Sequence, residues 1–326
     1  MGYGIITIAE FKNNMPEDKM LSSGYSVVRS YMAKIDNYAN VMDYKYTINQ
    51  NFHRGKSVRH LKDVSFSFWD ELDIVGEQYP QGICITEDYI LITSYSGEKR
   101  TLGECKIFER NTGEYLVTLG LDNKSHVGGI TFDGKNIWIC NSAKMAVERL
   151  SYGFIKYVVE NHRGGFVNVT NMVELYSVNN IPSSVTFHNG SLYVSTHTKW
   201  STSKMISYVY DEYKDQLEEE FVYKIPAKVQ GVTFDAFGRI YVSTSYGRKS
   251  SSYLKTYDSI YSMTKDIEQY IDMIEMPPCS EGIAFYEDKL YIIFESAGEK
   301  YLEGTDGNGK SIAPLDKILI IDLAKT

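Results

Sequence analysis

Cysteine is scarce in this chain and never occurs in pairs. The 326 residues include four, Cys84, Cys105, Cys140 and Cys279, and no two of them form a CxxC motif. This spacing is typical neither of a zinc site nor of a disulfide framework. Cys84 and Cys140 lie within apolar runs, which favours small core residues over metal ligands. We therefore expect buried free thiols.

The chain also lacks a basic excess and any long apolar run. Its formal net charge is -8 and its pI is about 5.4, whereas a general nucleic-acid binder carries a strong positive excess. The N-terminus has no basic segment before its short apolar run, and no stretch is long enough to span a bilayer. We expect a soluble protein that binds neither nucleic acid nor membranes. Cytoplasmic and secreted locations both remain open.

Residues 1–60 lack the repeat that fills the rest of the chain, so we predict an N-terminal extension, 1–60, and a main domain, 61–326. Within the extension, apolar residues recur at helical spacing and predict an amphipathic helix over about 24–43. Such a helix either covers the main domain or docks on a partner.

A strand-rich pattern occurs five times from Tyr79 onward. Each copy has a small residue followed by an alternating apolar strand, and the copies are about 50 residues apart. The small residues are Gly82, Gly129, Ser184, Gly231 and Gly282. Two further strand candidates complete each copy, so each copy predicts one four-stranded blade of a β-propeller. The fold class is therefore all-β.

The last copy predicts how the ring closes. Gly282–Phe285 and Leu290–Phe294 form a hairpin, Lys317–Leu323 supplies a third strand, and then the chain ends. The alternating run Val64–Leu72 precedes the first copy and fits the missing fourth position. Closure of this kind removes exposed sheet edges. We predict five blades; a sixth within the N-terminal segment is the alternative.

Propeller geometry then predicts a functional face. Loops that enter each innermost strand and loops that leave each second strand surround the same channel mouth. The entering positions are Gln81, Gly128, Ser183, Gln230 and Glu281, with His126 and Cys279 close by. The leaving positions include Ser94, Tyr95, Asn141, Ser142, His197, Ser245, Tyr246, Glu295 and Ser296.

Two carboxylates at this mouth are the main catalytic candidates. Glu281 precedes the first strand of the last hairpin and Glu295 follows the second, so antiparallel pairing brings them to one rim. Neighbouring carboxyls acquire separated pKa values and suit general acid–base work. Tyr246 or Lys300 would be a second proton donor. A structural ion pair is the alternative role, and a divalent metal held together with His126 and His197 stays open.

Polar and aromatic residues at the same mouth predict a ligand site. The binding candidates are Gln81, Tyr95, His126, Asn141, His197, Gln230 and Arg248. Amide groups beside aromatic faces suit a saccharide or another small polar ligand. Tyr79, Trp200 and Tyr301 add aromatic surface. The leaving loops also carry basic residues, which either solvate the loops, where Glu98 and Glu299 dilute their charge, or attract an anionic group: Lys99, Arg100, Lys144, Lys199, Arg248, Lys249 and Lys300.

Six phrases carry a family resemblance: YPQG, HVGG, VQGVTF, STSYGRKSS, PPCSEGIAF and FESAGEKY. In this order they resemble a largely uncharacterised group of bacterial, often secreted, five-bladed propeller proteins. The resemblance covers roughly Tyr79–Leu323 and implies the fold but no reaction. More distantly, the blades resemble gluconolactonase-type and virginiamycin-lyase-type propellers, whose catalytic residues do not map onto this chain.

One motif resembles a nucleotide site without its context. The sequence GTDGNGKS at Gly304–Ser311 fits the Walker A pattern, but Pro314 and a strand follow it where a helix is required. No nucleotide cofactor is expected. Two function classes remain: a propeller that binds a small polar, anionic or saccharide ligand, and a hydrolase, lyase or isomerase that uses the mouth carboxylates.

Overall fold

A computed structural model describes residues 35–48, 56–69, 78–98, 101–122 and 124–325. It contains five sheets and few helices. The α-helices in this part of the chain are α1 (Asn37–Met42), α2 (Tyr152–Asn161), α3 (Ile260–Lys265) and α4 (Glu299–Glu303). None of them is long and apolar enough to cross a membrane.

Each sheet is one blade, numbered here from its innermost strand outward. Blade 1 contains β3 (Gln78–Ile85), β4 (Tyr89–Ser96), β5 (Gly103–Glu109) and β6 (Tyr115–Leu121). Blade 2 contains β7 (Ile130–Phe132), β8 (Asn136–Asn141), β9 (Ala146–Ser151) and β11 (Glu174–Ser177). Blade 3 contains β12 (Ser184–His188), β13 (Ser191–Ser195), β14 (Ser203–Asp211) and β15 (Gln216–Ile225).

Two further blades complete the ring. Blade 4 contains β16 (Val229–Phe234), β17 (Ile240–Thr244), β18 (Ser252–Tyr257) and β19 (Asp272–Met276). Blade 5 contains β20 (Ser280–Tyr286), β21 (Lys289–Phe294) and β22 (Ile318–Asp322), and its outer strand is β2 (Phe66–Trp69). The five innermost strands contact one another in order, and β20 contacts β3. The five-bladed propeller predicted from the repeats is confirmed.

Ring closure follows the predicted route. β2 pairs antiparallel with β22, with Phe66 opposite Ile321 and Trp69 opposite Ile318. This strand lies within the predicted run Val64–Leu72, of which residues 70–72 fall outside the described part. A segment that precedes blade 1 in sequence thus supplies the outer strand of blade 5.

Two additional strands reinforce the ring. β1 (Ser57–His60) adds to blade 4 in parallel with β19, and β10 (Phe166–Asn168) adds to blade 1 in parallel with β6. β10 follows α2 in an insertion of blade 2, so it ties blade 2 to blade 1. The repeat pattern did not predict either strand, because both come from non-repeating segments.

The repeated small residues close the axis of the ring. A Cβ atom on Gly129 would lie 2.4 Å from the Val185 backbone nitrogen, and one on Gly282 would lie 2.8 Å from the Cα of Gly82. Backbones of neighbouring blades therefore meet too closely for side chains at this level. On one side of this constriction, a cavity of about 120 Å³ is lined by inner-strand residues that include Cys84, Thr131, Thr186, Thr233 and Ala284.

The predicted extension and cysteines can also be located. Residues 24–34 of the predicted helix lie outside the described part, and α1 covers Asn37–Met42. α1 lies against the loop before β22: Asn37 donates to Asp316 at 2.5 Å, and Asn40 donates to the Pro314 carbonyl at 2.6 Å. All four cysteines are buried and free, as predicted.

Candidate functional site

Three polar side chains approach the axis because the inner strands bulge at their positions. The strand register shifts at Gln81 in β3, at Gln230 in β16 and at Glu281 in β20. Each residue directly precedes the small residue of its repeat. A bulge rotates its extra residue out of the pleat and is frequent beside functional sites. Blades 1, 4 and 5 thus direct one polar side chain each toward a common point.

Glu281 and Glu295 meet at this point. Their carboxyl groups are within hydrogen-bonding reach of each other. The Gln230 side-chain nitrogen donates to Glu281 Oε1 at 3.0 Å, and that of Gln81 donates to Glu295 Oε2 at 3.1 Å. Glu281 is 4 % exposed, whereas Glu295 is partly exposed. Glu281 is therefore the more deeply buried member of the pair and Glu295 the more exposed one; we call the space around the two carboxyls the recess.

The two carboxyls differ in how strongly they hold a proton. Burial raises the pKa of Glu281 well above its ordinary value, and the nearby charge of Glu295 adds to this effect. Burial also raises the pKa of Glu295, but hydrogen bonds from Tyr301 and Gln81 and the charge of Lys300 oppose the rise. Two carboxyls in contact favour one shared proton, and the stronger rise in the pKa of Glu281 favours that residue as its holder.

Helix α4 brings a lysine into the same recess. The Lys300 ammonium lies 4.1 Å from the ring centre of Tyr79, 4.8 Å from that of Tyr95 and 4.7 Å from that of Tyr301. It also donates a hydrogen bond to the Tyr95 hydroxyl. Burial lowers the pKa of Lys300, although the charge of Glu295 favours the ammonium form. A cation, a shared proton and a carboxylate thus occupy one small space.

Arg248, a predicted ligand-binding residue, contacts the loop that carries α4. Its guanidinium forms an ion pair with Asp306 and donates to the carbonyls of Lys300 at 2.9 Å and Gly309 at 2.6 Å. It also lies 4.4 Å from the ring centre of Tyr301. Because these contacts occupy the guanidinium, Arg248 positions the α4 loop of blade 5.

Left-handed backbone occurs at the entrance of three inner strands. Cys279 has a φ of +68°, Lys228 of +64° and Val127 of +43°. Side chains rarely adopt this region, and such strain concentrates at functional sites. At Cys279 the backbone N–H donates to Ser245 Oγ at 3.1 Å, and the carbonyl accepts from the Glu295 N–H at 3.1 Å. The strained turn therefore holds both ends of the carboxyl pair.

The remaining predicted residues spread around the mouth. His126 packs edge-on against Tyr95, with ring centres 4.6 Å apart. Asn141 is buried and donates to Glu148 at 2.6 Å, so its side chain lies in the interior of blade 2. His197 contacts the Val229 carbonyl through Nδ1 at 3.1 Å. Tyr246 packs with Trp200 at 5.6 Å, and within the described residues it has no contact with either glutamate.

The geometry of the described residues does not supply a metal-ligand set. Over these ranges, no three His, Cys, Asp or Glu side chains converge in a way that would hold an ion. His126 and His197 contact Tyr95 and Val229, not the glutamate pair. The Walker-like loop at Gly304 follows helix α4, and its Asp306 is the partner of Arg248.

Tyr301 and Asp306 contribute more to the site than the sequence indicated. Tyr301 donates a hydrogen bond to Glu295, and Asp306 fixes Arg248. Both lie in a long loop with no counterpart in the other repeats, so periodicity gave no information about them. The one available signal was the position of Tyr301, six residues after Glu295 and next to Lys300.

Comparisons with known proteins show no family for this chain. No family model and no curated protein matches the chain, so the family resemblance stays a prediction. Glutaminyl cyclase from Myxococcus xanthus is 10 % identical, with a TM-score of 0.49 over 78 % of this chain and 96 % of that one. A chain of a nidogen/laminin complex is 13 % identical, with a TM-score of 0.39 over 67 % and 73 %. Hydrazine synthase from Kuenenia stuttgartiensis is 12 % identical, with a TM-score of 0.35 over 68 % and 56 %. These values assign no activity.

Proposed function

We propose that the recess at the channel mouth binds a small polyhydroxylated ligand of the saccharide type. The observation that carries this proposal is the Glu281–Glu295 pair in the recess, joined by Gln81, Gln230 and Lys300. Five polar groups that converge on one partly open space suit a ligand with several hydroxyl groups.

The hydrogen-bonding capacity left in the recess supports a hydroxyl-rich ligand. Gln81 and Gln230 use their amide nitrogens on the carboxyls, and their side-chain oxygens accept no hydrogen bond from the described residues. Glu295 offers an acceptor and Lys300 offers donors. The charges of Glu295 and Lys300 offset each other, which favours hydroxyl groups over a strongly charged ligand at this position.

The test is retention of small molecules. Native mass spectrometry of the purified protein, followed by calorimetry with a panel of mono- and disaccharides, should identify a ligand. Glu295→Gln and Gln230→Leu should each weaken its binding about tenfold or more, because each removes a buried hydrogen bond to the ligand or to Glu281. Glu287→Gln, on the opposite end of blade 5, should have no effect. Full binding by Glu295→Gln would refute the proposal.

A second candidate function, general acid–base catalysis, is favoured by the shared proton. Protonated Glu281 beside ionised Glu295 offers a proton donor and an acceptor in contact. Lys300 is the further proton donor within the recess, and hydrolase, lyase and isomerase reactions all use such groups. If the protein turns over its ligand, Glu281→Gln should abolish turnover but keep binding. Unchanged turnover in this variant would remove Glu281 from catalysis.

A further inference from the structure

An exposed aromatic surface lies beside the recess. We call it the aromatic–lysine platform; it consists of Lys199, Trp200, Lys228 and Tyr246. Trp200 is 81 % exposed, and its ring packs edge-on against Tyr246 at 5.6 Å. Trp200 and Tyr246 together therefore present accessible aromatic surface at the mouth.

Hydrogen bonds between three chain segments hold the platform in place. The Lys228 N–H donates to the Thr198 carbonyl at 2.7 Å, which joins the Trp200 loop to blade 4. The Ser245 N–H donates to the Lys228 carbonyl at 3.0 Å, which joins the Tyr246 loop to the same point. The left-handed backbone of Lys228 lies between these two bonds. The platform is therefore formed before any ligand arrives, and binding to it costs little ordering.

The platform carries positive charge without acidic partners. The Lys199 ammonium lies 5.6 Å from the Tyr246 ring centre, and that of Lys228 lies 5.3 Å from it and 6.0 Å from the Trp200 ring centre. Among the described residues, no carboxylate lies within ion-pair distance of either lysine. Lys144 and Arg248, from the same predicted basic set, are paired with Asp122 and Asp306. In a chain of net charge -8, two unpaired cations beside aromatic rings favour an anionic ligand.

The platform is continuous with the recess. Lys228 precedes Gln230 by two residues, and the Gln230 side chain donates to Glu281. Ser245, which precedes Tyr246, accepts a hydrogen bond from Cys279, two residues before Glu281. One ligand can therefore contact both places.

We infer that the protein recognises a negatively charged saccharide of at least two units. One ring stacks on Trp200 and Tyr246 with its carboxylate or sulfate beside Lys199 and Lys228, and the adjoining unit enters the recess. Aromatic faces bind the C–H faces of sugars, and the lysines account for the charge. This inference rests on the proposed function of the recess and adds to it the ligand's charge and length.

The experiment compares two sets of disaccharides by calorimetry. The acidic set contains digalacturonate, dimannuronate and a sulfated heparan-type disaccharide; the neutral set contains cellobiose, maltose and chitobiose. At least one acidic disaccharide should bind about tenfold or more tightly than every neutral one, and its affinity should fall with added salt. Comparison of the uronate disaccharides with the sulfated disaccharide shows which of the two anionic groups is recognised.

Variants then locate the effect. Trp200→Ala should weaken acidic-disaccharide binding about tenfold, and Trp200→Phe should restore most of it. Lys199→Gln with Lys228→Gln should remove the preference for the acidic set. Lys135→Gln and Phe237→Ala, an exposed lysine and an exposed aromatic at the other ends of their blades, are matched controls and should bind normally.

Each outcome separates this inference from the proposal it rests on. If saccharides bind and respond to Glu295→Gln but not to Trp200→Ala, the platform inference fails and the recess function stands. If acidic disaccharides respond to the platform variants but not to Glu295→Gln, the recess function fails. If no acidic disaccharide binds more tightly than the neutral set, the inference is overturned.

Discussion

The carboxyl pair shows how one residue can be kept in an unusual protonation state. Glu281 lies at a bulge that turns it into the ring, where water is largely excluded and a second carboxyl is in contact. Ionising both groups would place two like charges together in a poorly hydrated space. A shared proton removes that conflict. It makes the stability of the fold depend on pH.

Glu281→Gln should reduce this pH dependence. Because folding raises the Glu281 pKa, the folded protein keeps a proton that the unfolded chain loses near pH 4. Wild-type stability therefore falls as pH rises from the unfolded pKa toward the folded one, by about 1.4 kcal/mol per pH unit for one proton. Gln carries no such proton, so the variant's slope should be shallower by that amount. Urea denaturation between pH 5 and about 8 measures both slopes, and equal slopes would refute the shared-proton assignment.

A substitution at Gly129 tests how tightly the backbones of neighbouring blades pack at the axis of the ring. Gly129→Ala would place a methyl group 2.4 Å from the Val185 nitrogen and 2.6 Å from the Ser184 Cα, both backbone atoms of the next blade. Because neither can retreat without moving an inner strand, we expect a loss of about 3 kcal/mol in unfolding free energy. Gly153→Ala, in α2 with open space around it, is the control and should cost nothing. Equal stability of the two variants would mean that the inner strands can move apart at the axis to make room for the methyl group.

At the scale of elements, the loop between β21 and β22 brings Lys300 and Tyr301 to the recess. It carries α4 and is held mainly from blade 4, through the side chain of Arg248. The backbone of the same residue takes part, since the Ile312 N–H donates to the Arg248 carbonyl at 3.3 Å. The guanidinium holds the pKa of Asp306 well below its ordinary value, so the ion pair persists until strongly acidic pH.

Arg248→Met should release this loop without unfolding the ring. We expect a decrease of about 5 °C in Tm, faster hydrogen exchange at the Ser311 and Ile312 amides, and weaker ligand binding as Lys300 loses its position. Arg248→Lys should rescue little, since a single ammonium cannot replace a planar group that binds three acceptors. Arg163→Met removes an exposed arginine–glutamate pair and should behave as wild type. Protection of both amides in the Met variant would contradict the assigned role.

The repeating elements were predictable from the sequence and the non-repeating ones were not. Five copies of one alternating pattern predicted the five blades. The last copy lacks a fourth strand after Lys317–Leu323, and this predicted that another segment pairs with β22. Strands β1 and β10 and helix α4 lie in unique segments, for which a single sequence offers no second copy to compare.

The candidate site was predictable to the same extent. Position alone identified Gln81, Gln230 and Glu281, because each directly precedes the small residue of its repeat, where the inner strand bulges. The direction of a loop side chain depends on packing between blades, which the sequence does not contain. The sequence therefore predicted the face on which Arg248 and Tyr246 lie, but not the residues that they contact.

At the scale of the whole molecule, the blades differ in how their outer edges are protected. Blades 1 and 4 carry the extra strands β10 and β1, whereas β15 of blade 3 pairs only with β14 among the described strands. β15 exposes Phe221 and Val222, at 58 % and 56 %. Three consecutive glutamates, Glu218–Glu220, precede them. Charges on an open edge oppose strand pairing between molecules.

Replacing Glu218, Glu219 and Glu220 together with Thr should promote association through this edge. We expect a concentration-dependent increase in mass by light scattering, because the variant presents an uncharged edge of high β-propensity. The matched control replaces Glu87, Glu160 and Glu268, which are exposed outside strands, and changes the net charge equally. If both variants associate alike, the effect belongs to net charge and the edge has no special role.

The hydrogen bond between Gln81 and Glu295 joins residues 214 positions apart, so the site can form only after both residues have been synthesised. A chain emerges from the ribosome from its N-terminus, so Gln81 is made well before Glu295 and Lys300. Blades 1 to 4 can be synthesised, and can pair their own strands, before either carboxyl is available. A product truncated before blade 5 lacks both glutamates, so it should not bind a ligand at the recess.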